Sequence, residues 1–156
     1  LFLPDYYNTI ALITKQVRNQ GLDVTMLGPD GWDELVGQAG KEAVGGFYCN
    51  HYSPDADDPE VEAFVRKFKE RYNITPNALA ALGYDAAYIA LEAIERAGTD
   101  DPQTLKEALM ETGKKYVTGY ITFDEEHNPV KSTTILKVIQ GADGKLATEY
   151  VGMVNP

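Results

Sequence analysis

The sequence predicts an α/β fold: a parallel sheet flanked by helices, with late strands attached antiparallel. Three observations predict it. Near the start, short apolar runs that read as strands alternate with a stripe of helical period. Through the middle run long amphipathic segments with clear start and stop signals. From about residue 117 the pattern changes to short strand-like runs separated by turn residues.

The first apolar run, "LFLP" (1–4), resembles the tail of a buried strand, so the natural start of the polypeptide is expected upstream. Asp5 is a candidate helix N-cap. Behind it Tyr6, Ile10, Ile13 and Val17 recur at helical spacing, and Gly21 supplies a stop. "VTMLG" (24–28) follows as a strand, then the turn "PDGW", then a short helix over 34–39 opened by Asp33. "GGFYCN" (45–50) is a further strand. The early strand–helix–strand order favours parallel pairing.

"HYSPDADDPE" (51–60) is a connector rich in Pro and Asp, and Pro59 stands where a helix accepts its first residue. Val61, Phe64, Val65, Phe68 and Tyr72 then form an apolar stripe, with Glu62 and Arg66 spaced for an ion pair. "NITPN" (73–77) breaks that helix. The next places Leu82, Ala86, Ile89, Ala90, Ala93, Ile94 and Ala97 on one side and stops at Gly98. Asp101 and Pro102 open a last helix that stops at Gly113. "YITFD" (120–124), "STTILKVIQ" (132–140) and "LATEYVGMV" (146–154) are strands joined at "EEHNP" and "GADGK".

The formal net charge is −10 over 156 residues. That argues against nucleic acid and anionic membrane surfaces as partners, because both need clustered Lys and Arg. Cys49 is the only cysteine, which excludes an internal disulfide and a Cys-rich zinc site. Lying in an apolar strand, it reads as an inert buried thiol. No phosphate-cradling GxxxxGK[ST], no GxGxxG after a strand and no GxSxG elbow is present. His51 and His127 lie far apart in polar loops and read as solvated loop residues; no metal site and no cofactor is expected. No nucleophile–base pair suggests an enzyme.

What remains is binding. In open α/β sheets ligands sit beyond the carboxyl ends of the strands. "DYY" after "LFLP" and "PDGW" after "VTMLG" stand there, so parallel neighbouring strands would bring Tyr6 or Tyr7, Asp30 and Trp32 to one crevice. Aromatic walls and one fixed carboxylate suit a small ligand with an ammonium group and an apolar body. Each residue also has a plain alternative. Asp between Pro and Gly is ordinary turn composition, Tyr6 falls on the helix stripe, and Trp32 would serve as a packing anchor.

"DYYNTIALITKQVRNQGLDVTMLGPDGW", "FVRKFKERYNITPNALAALGYDAAYIALEAIERAG" and "VTGYITFDEEHNPVKSTTILKV" resemble, in order and over essentially the whole chain, the later half of the type I periplasmic solute-binding proteins. The branch they resemble is that of the leucine/isoleucine/valine-binding proteins of ABC transporters. The resemblance implies a two-lobed protein about twice as long that closes on its ligand. It implies that 1–50 ends a C-terminal lobe, 51–116 returns through the N-terminal lobe, and 117–156 returns to the C-terminal lobe. It gives Tyr6 a place in the pocket wall, Asp30 the ligand's α-ammonium, and Tyr84 of "GYDA" a place on the other lobe; Trp32 occupies a variable turn position. The implied ligand is a branched-chain or related amino acid, the partner a membrane permease, and the location periplasmic or otherwise extracytoplasmic. A sensory domain of the same architecture is the alternative. The resemblance also implies that the first half of the site lies outside this sequence. The chain is therefore expected to associate with that half or with itself.

Overall fold

The computed structural model describes residues 1–156. The chain divides into two compact units: Leu1–Asp55 with Thr133–Val154, and Ala56–Ser132 with Asn155–Pro156. The return to the first unit therefore comes at residue 133, not at 117 as the sequence suggested. Residues 117–132 belong instead to a small sheet of the second unit.

The first unit is a sheet with one helix against it. Its strands are β1 (Leu27–Gly28), β2 (Phe47–Asn50), β6 (Thr133–Gln140) and β7 (Leu146–Val154), in the order β1-β2-β6-β7. β1 and β2 are parallel; β2–β6 and β6–β7 are antiparallel. "LFLP" lies beside β1: Phe2 bridges Leu27 in parallel, the Leu3 amide donates to the Leu27 carbonyl at 2.8 Å, and the Leu27 amide donates to the Leu1 carbonyl at 2.8 Å. Helix α1 (Tyr7–Asn19) turns Ile10, Thr14 and Val17 inward. They join Met26, Trp32, Leu35, Tyr48, Leu136 and Val138 in the core. β1 is shorter than expected, and the stretch after it forms three short 3-10 turns rather than a helix over 34–39. Gly21 follows α1 with φ +74°, the left-handed stop its composition predicts.

The second unit holds α2 (Pro59–Tyr72), α3 (Ala78–Ala97) and α4 (Pro102–Met110) with the sheet β3 (Gly113–Tyr116), β4 (Gly119–Phe123) and β5 (Pro129–Lys131). Each helix start is capped locally. Asp58 accepts from the Glu60 amide, Asn77 from Ala80 and Asp101 from Thr104. Arg66 pairs with Glu70, one turn on, instead of Glu62. β3 is a strand of two lysines: Lys114 pairs with Glu92 of α3, and Lys115 reaches Asp58 at the start of α2, at 2.6 Å.

α3 buries Ala78, Ala81, Asp85, Ile89 and Ala93, a face rotated from the predicted one; Ile94 stays exposed. The rotation follows from Asp85. Its carboxylate is 2% exposed and accepts the amides of Val117 at 3.1 Å and Thr118 at 2.7 Å. It therefore satisfies the backbone where β3 turns into β4.

Candidate functional site

In the first unit, three chain segments leave the sheet at the carboxyl ends of adjacent parallel strands. Leu3 leads to Tyr6, β1 leads through Pro29 to Asp30, and β2 leads to Asn50 and His51. This is the edge at which an open α/β sheet places ligands.

The "PDGW" turn owes its position to Trp32. Asp30–Trp32 make one 3-10 turn. The Trp32 side chain is 0% exposed, and its indole N–H donates to the Leu3 carbonyl at 3.1 Å. The ring fills the space that glycines leave: a Cβ on Gly28 would fall 2.1 Å from it, and one on Gly46 3.1 Å. Trp32 therefore does not face solvent at this edge. It is the packing anchor of the turn, and as a ligand contact it is corrected.

Gly31 sets the other side of the turn. A Cβ there would lie 2.9 Å from the Asp5 carbonyl oxygen and 3.4 Å from Cα of Tyr6. The loops carrying Asp30 and Tyr6 are therefore in direct backbone contact. Tyr6 stands at the N-cap of α1 and is 68% exposed, so it is not the core residue that its place on the helix stripe allowed. Tyr7 packs on the core instead.

The Asp30 side chain is 60% exposed. Its Oδ2 lies 3.2 Å from Nε2 of His51, and its Oδ1 has no protein partner. Behind it, the Asn50 amide donates to Asp33, and Asn50 Oδ1 accepts the His51 backbone N–H at 2.8 Å. Burial pushes the Tyr48 phenol above its ordinary range, and the nearby Asp33 and Glu34 push it further. Tyr48 itself is buried in the core, so the groups exposed at this edge are the Asp30 carboxylate and the Tyr6 ring.

His51, which the sequence presents as a solvated loop histidine, lies beside Asp30 in the structure. The strand-end rule that singled out Asp30 would have found it had the rule been extended to the third strand. Tyr84 lies in the second unit. Its ring packs between Phe64, with centroids 5.0 Å apart, and Tyr88 at 4.7 Å. A hydrogen bond with Tyr88, together with burial, pushes its phenol up to about 12. Phe64, Phe68, Arg71, Tyr72 and Tyr84 line a cavity of about 290 Å³ within that unit. No group of three or more His, Cys, Asp and Glu side chains is placed to hold a metal ion.

Three parallel-running segments of the first unit thus bring Tyr6, Asp30 and His51 to one edge of an otherwise antiparallel sheet. Residues 3–145 match the family model described as "Periplasmic binding protein", and the chain belongs to that family. Leu/Ile/Val-binding protein homolog 1 of Brucella abortus (strain 2308) is 32% identical over 139 residues, covering 86% of this chain and 37% of that protein. The crystal structure of a leucine binding protein, LivK, from Thermotoga maritima MSB8 superposes with a TM-score of 0.88 at 35% identity, covering 99% of this chain and 44% of that one. LivJ of Streptococcus pneumoniae, a branched-chain amino acid transporter substrate binding protein solved in complex with isoleucine, has a TM-score of 0.79 at 30% identity, covering 96% and 43%. The chain thus spans less than half the length of these relatives. They belong to the branch that the sequence resembles.

Proposed function

We propose that this chain forms part of the extracytoplasmic solute-binding component of an ABC transporter, and that the solute is a branched-chain or related amino acid. The observation that carries the reading is the Asp30 carboxylate, held beyond the carboxyl end of β1 with Oδ1 open and Tyr6 on the adjoining loop. Asp30 takes the ligand's α-ammonium and Tyr6 forms part of the wall around its apolar body. The names of the relatives support the choice of ligand class. The ligand's carboxylate is met by groups outside these residues, in the portion that the longer relatives possess.

The protein binds and delivers; it performs no chemistry on its ligand. Its partner is a membrane permease. Calorimetric titration of leucine, isoleucine and valine into the protein encoded by the complete reading frame tests the reading. Saturable binding of at least one of the three is expected, and binding of none would reject it.

A further inference from the structure

We infer that His51 is a positioning residue for the Asp30 carboxylate and thereby raises the site's affinity for a ligand that carries an ammonium group. The inference rests on the ligand role proposed for Asp30. It is carried by a closed ring of contacts that ties the ends of β1 and β2 together. The Asp33 amide donates to the Asp30 carbonyl at 3.1 Å. The Asp33 carboxylate accepts from the Asn50 side-chain amide. Asn50, 3% exposed, accepts the His51 backbone N–H at 2.8 Å. His51 Nε2 then reaches Asp30 Oδ2 at 3.2 Å, a hydrogen bond to the carboxylate whenever Nε2 carries a proton.

The ring explains what an exposed loop histidine does there. A carboxylate on a turn, with most of its surface in water, samples several rotamers and must lose them when it meets a cation. His51 occupies one oxygen, Oδ2, and leaves Oδ1 without a protein partner. Asp30 is thus ordered before the ligand arrives, and the ordering cost at binding falls. His51 is anchored for this role through its own backbone by the buried Asn50. His127 lies in the second unit, in a turn built on Asp124, with φ +69° and its backbone N–H donating to the Asp124 carbonyl at 2.9 Å.

The test is a double-mutant cycle on the protein from the complete reading frame, with leucine as the probe. His51→Ala should weaken leucine binding by about 2- to 10-fold, the range for losing the pre-ordering of one side chain. His51→Gln, whose amide can reach Oδ2, should recover most of that loss. In an Asp30→Asn background, His51→Ala should have little further effect. Equal loss in both backgrounds, or no recovery with Gln, would mark His51 as merely structural and overturn the inference.

A ligand-free readout separates this from the function itself. Asp30→Asn should move the His51 imidazole resonances in the NMR spectrum and leave those of His127 in place. Unmoved His51 signals would overturn the contact whether or not leucine binds. Failure of the unmodified protein to bind leucine, isoleucine or valine, with the His51 signals still moving, would reject the ligand reading and its affinity consequence but not the contact.

Discussion

Gly28 and Trp32 share one space: a Cβ on residue 28 would stand 2.1 Å from the indole, and no heavy atoms pack that closely. The indole cannot retreat, because its N–H is bonded to Leu3 and Gly46 closes its other side. Gly28→Ala is therefore expected to destabilise the first unit by at least about 1–3 kcal/mol, the usual range for overpacking a core. Trp32→Ala should cost roughly 3–5 kcal/mol through the cavity it leaves. Urea unfolding followed by circular dichroism measures both. Because Trp32 anchors the turn that begins with Asp30, both variants should also weaken ligand binding.

Asp85 is the second unit's counterpart to that anchor. Asp85→Ala would strand the amides of Val117 and Thr118 in a buried position, at roughly 1–3 kcal/mol each. Asp85→Asn keeps one acceptor but turns an NH₂ group toward the other amide, so it should fall between wild type and Ala. Hydrogen exchange at Val117 and Thr118 checks this directly. Their amides should exchange faster in both variants, while Ile10 and Val138 of the first unit should be unaffected.

Acid should destabilise the second unit through two carboxylates. The Lys114 hydrogen bond, then that of Tyr116, holds Glu92 below its ordinary 4.5. At Asp58 burial acts upward, but the Lys115 hydrogen bond and the Glu60 amide outweigh it and hold the group below its ordinary 3.8. A carboxyl lowered in the folded state contributes its full stability above the unfolded value and loses it as pH falls through the folded value. The thermal midpoint should therefore decline as pH drops below about 5. The decline should be shallower in Glu92→Gln, and salt should reduce the difference, since these pairs are partly exposed. Scanning calorimetry across pH 2–7 checks both.

The isolated 156-residue chain is expected to associate. Leu1, Phe2 and Leu27 are exposed at one edge of the first sheet, and Val151, Met153 and Val154 at the other. On α3 of the second unit Leu79, Leu91 and Ile94 are exposed. Open strand edges and apolar faces of this kind pair with further chain, either the remaining portion found in the relatives or a second copy. Size-exclusion chromatography with light scattering should give a mass above 17.2 kDa that rises with concentration. A monodisperse monomer at high concentration would contradict this.

Signals that act within a few residues were legible in the sequence. Asp101 opens α4 and Pro59 stands at the first turn of α2 as the sequence indicates, because capping is a local exchange of hydrogen bonds; Asp5, also read as a cap, is not one, since the N-cap of α1 is Tyr6. What depended on distant partners was not. β3 shows no apolar alternation, since Lys114 and Lys115 are held by carboxylates that the sequence places far away. The buried face of α3 is centred on a charged residue whose partners lie 32 and 33 positions on. At the candidate site, the strand-end rule located Asp30 and Tyr6. It missed His51 because it was applied to the ends of the first two strands and not to that of β2. It misplaced Trp32 because only the packing shows that two glycines make room for the ring.

Asp30 is proposed to recognise a ligand's ammonium group. This role is tested most directly by titration calorimetry of leucine against the protein from the complete reading frame and its Asp30→Asn variant, alongside 4-methylpentanoate, which keeps leucine's carbon skeleton without the amine. Asp30→Asn should weaken leucine binding by about 2–5 kcal/mol, as when one partner of a desolvated charge pair is removed. It should leave the weak binding of 4-methylpentanoate unchanged or slightly improved. Leucine bound as tightly by Asp30→Asn as by the unmodified protein would contradict the account.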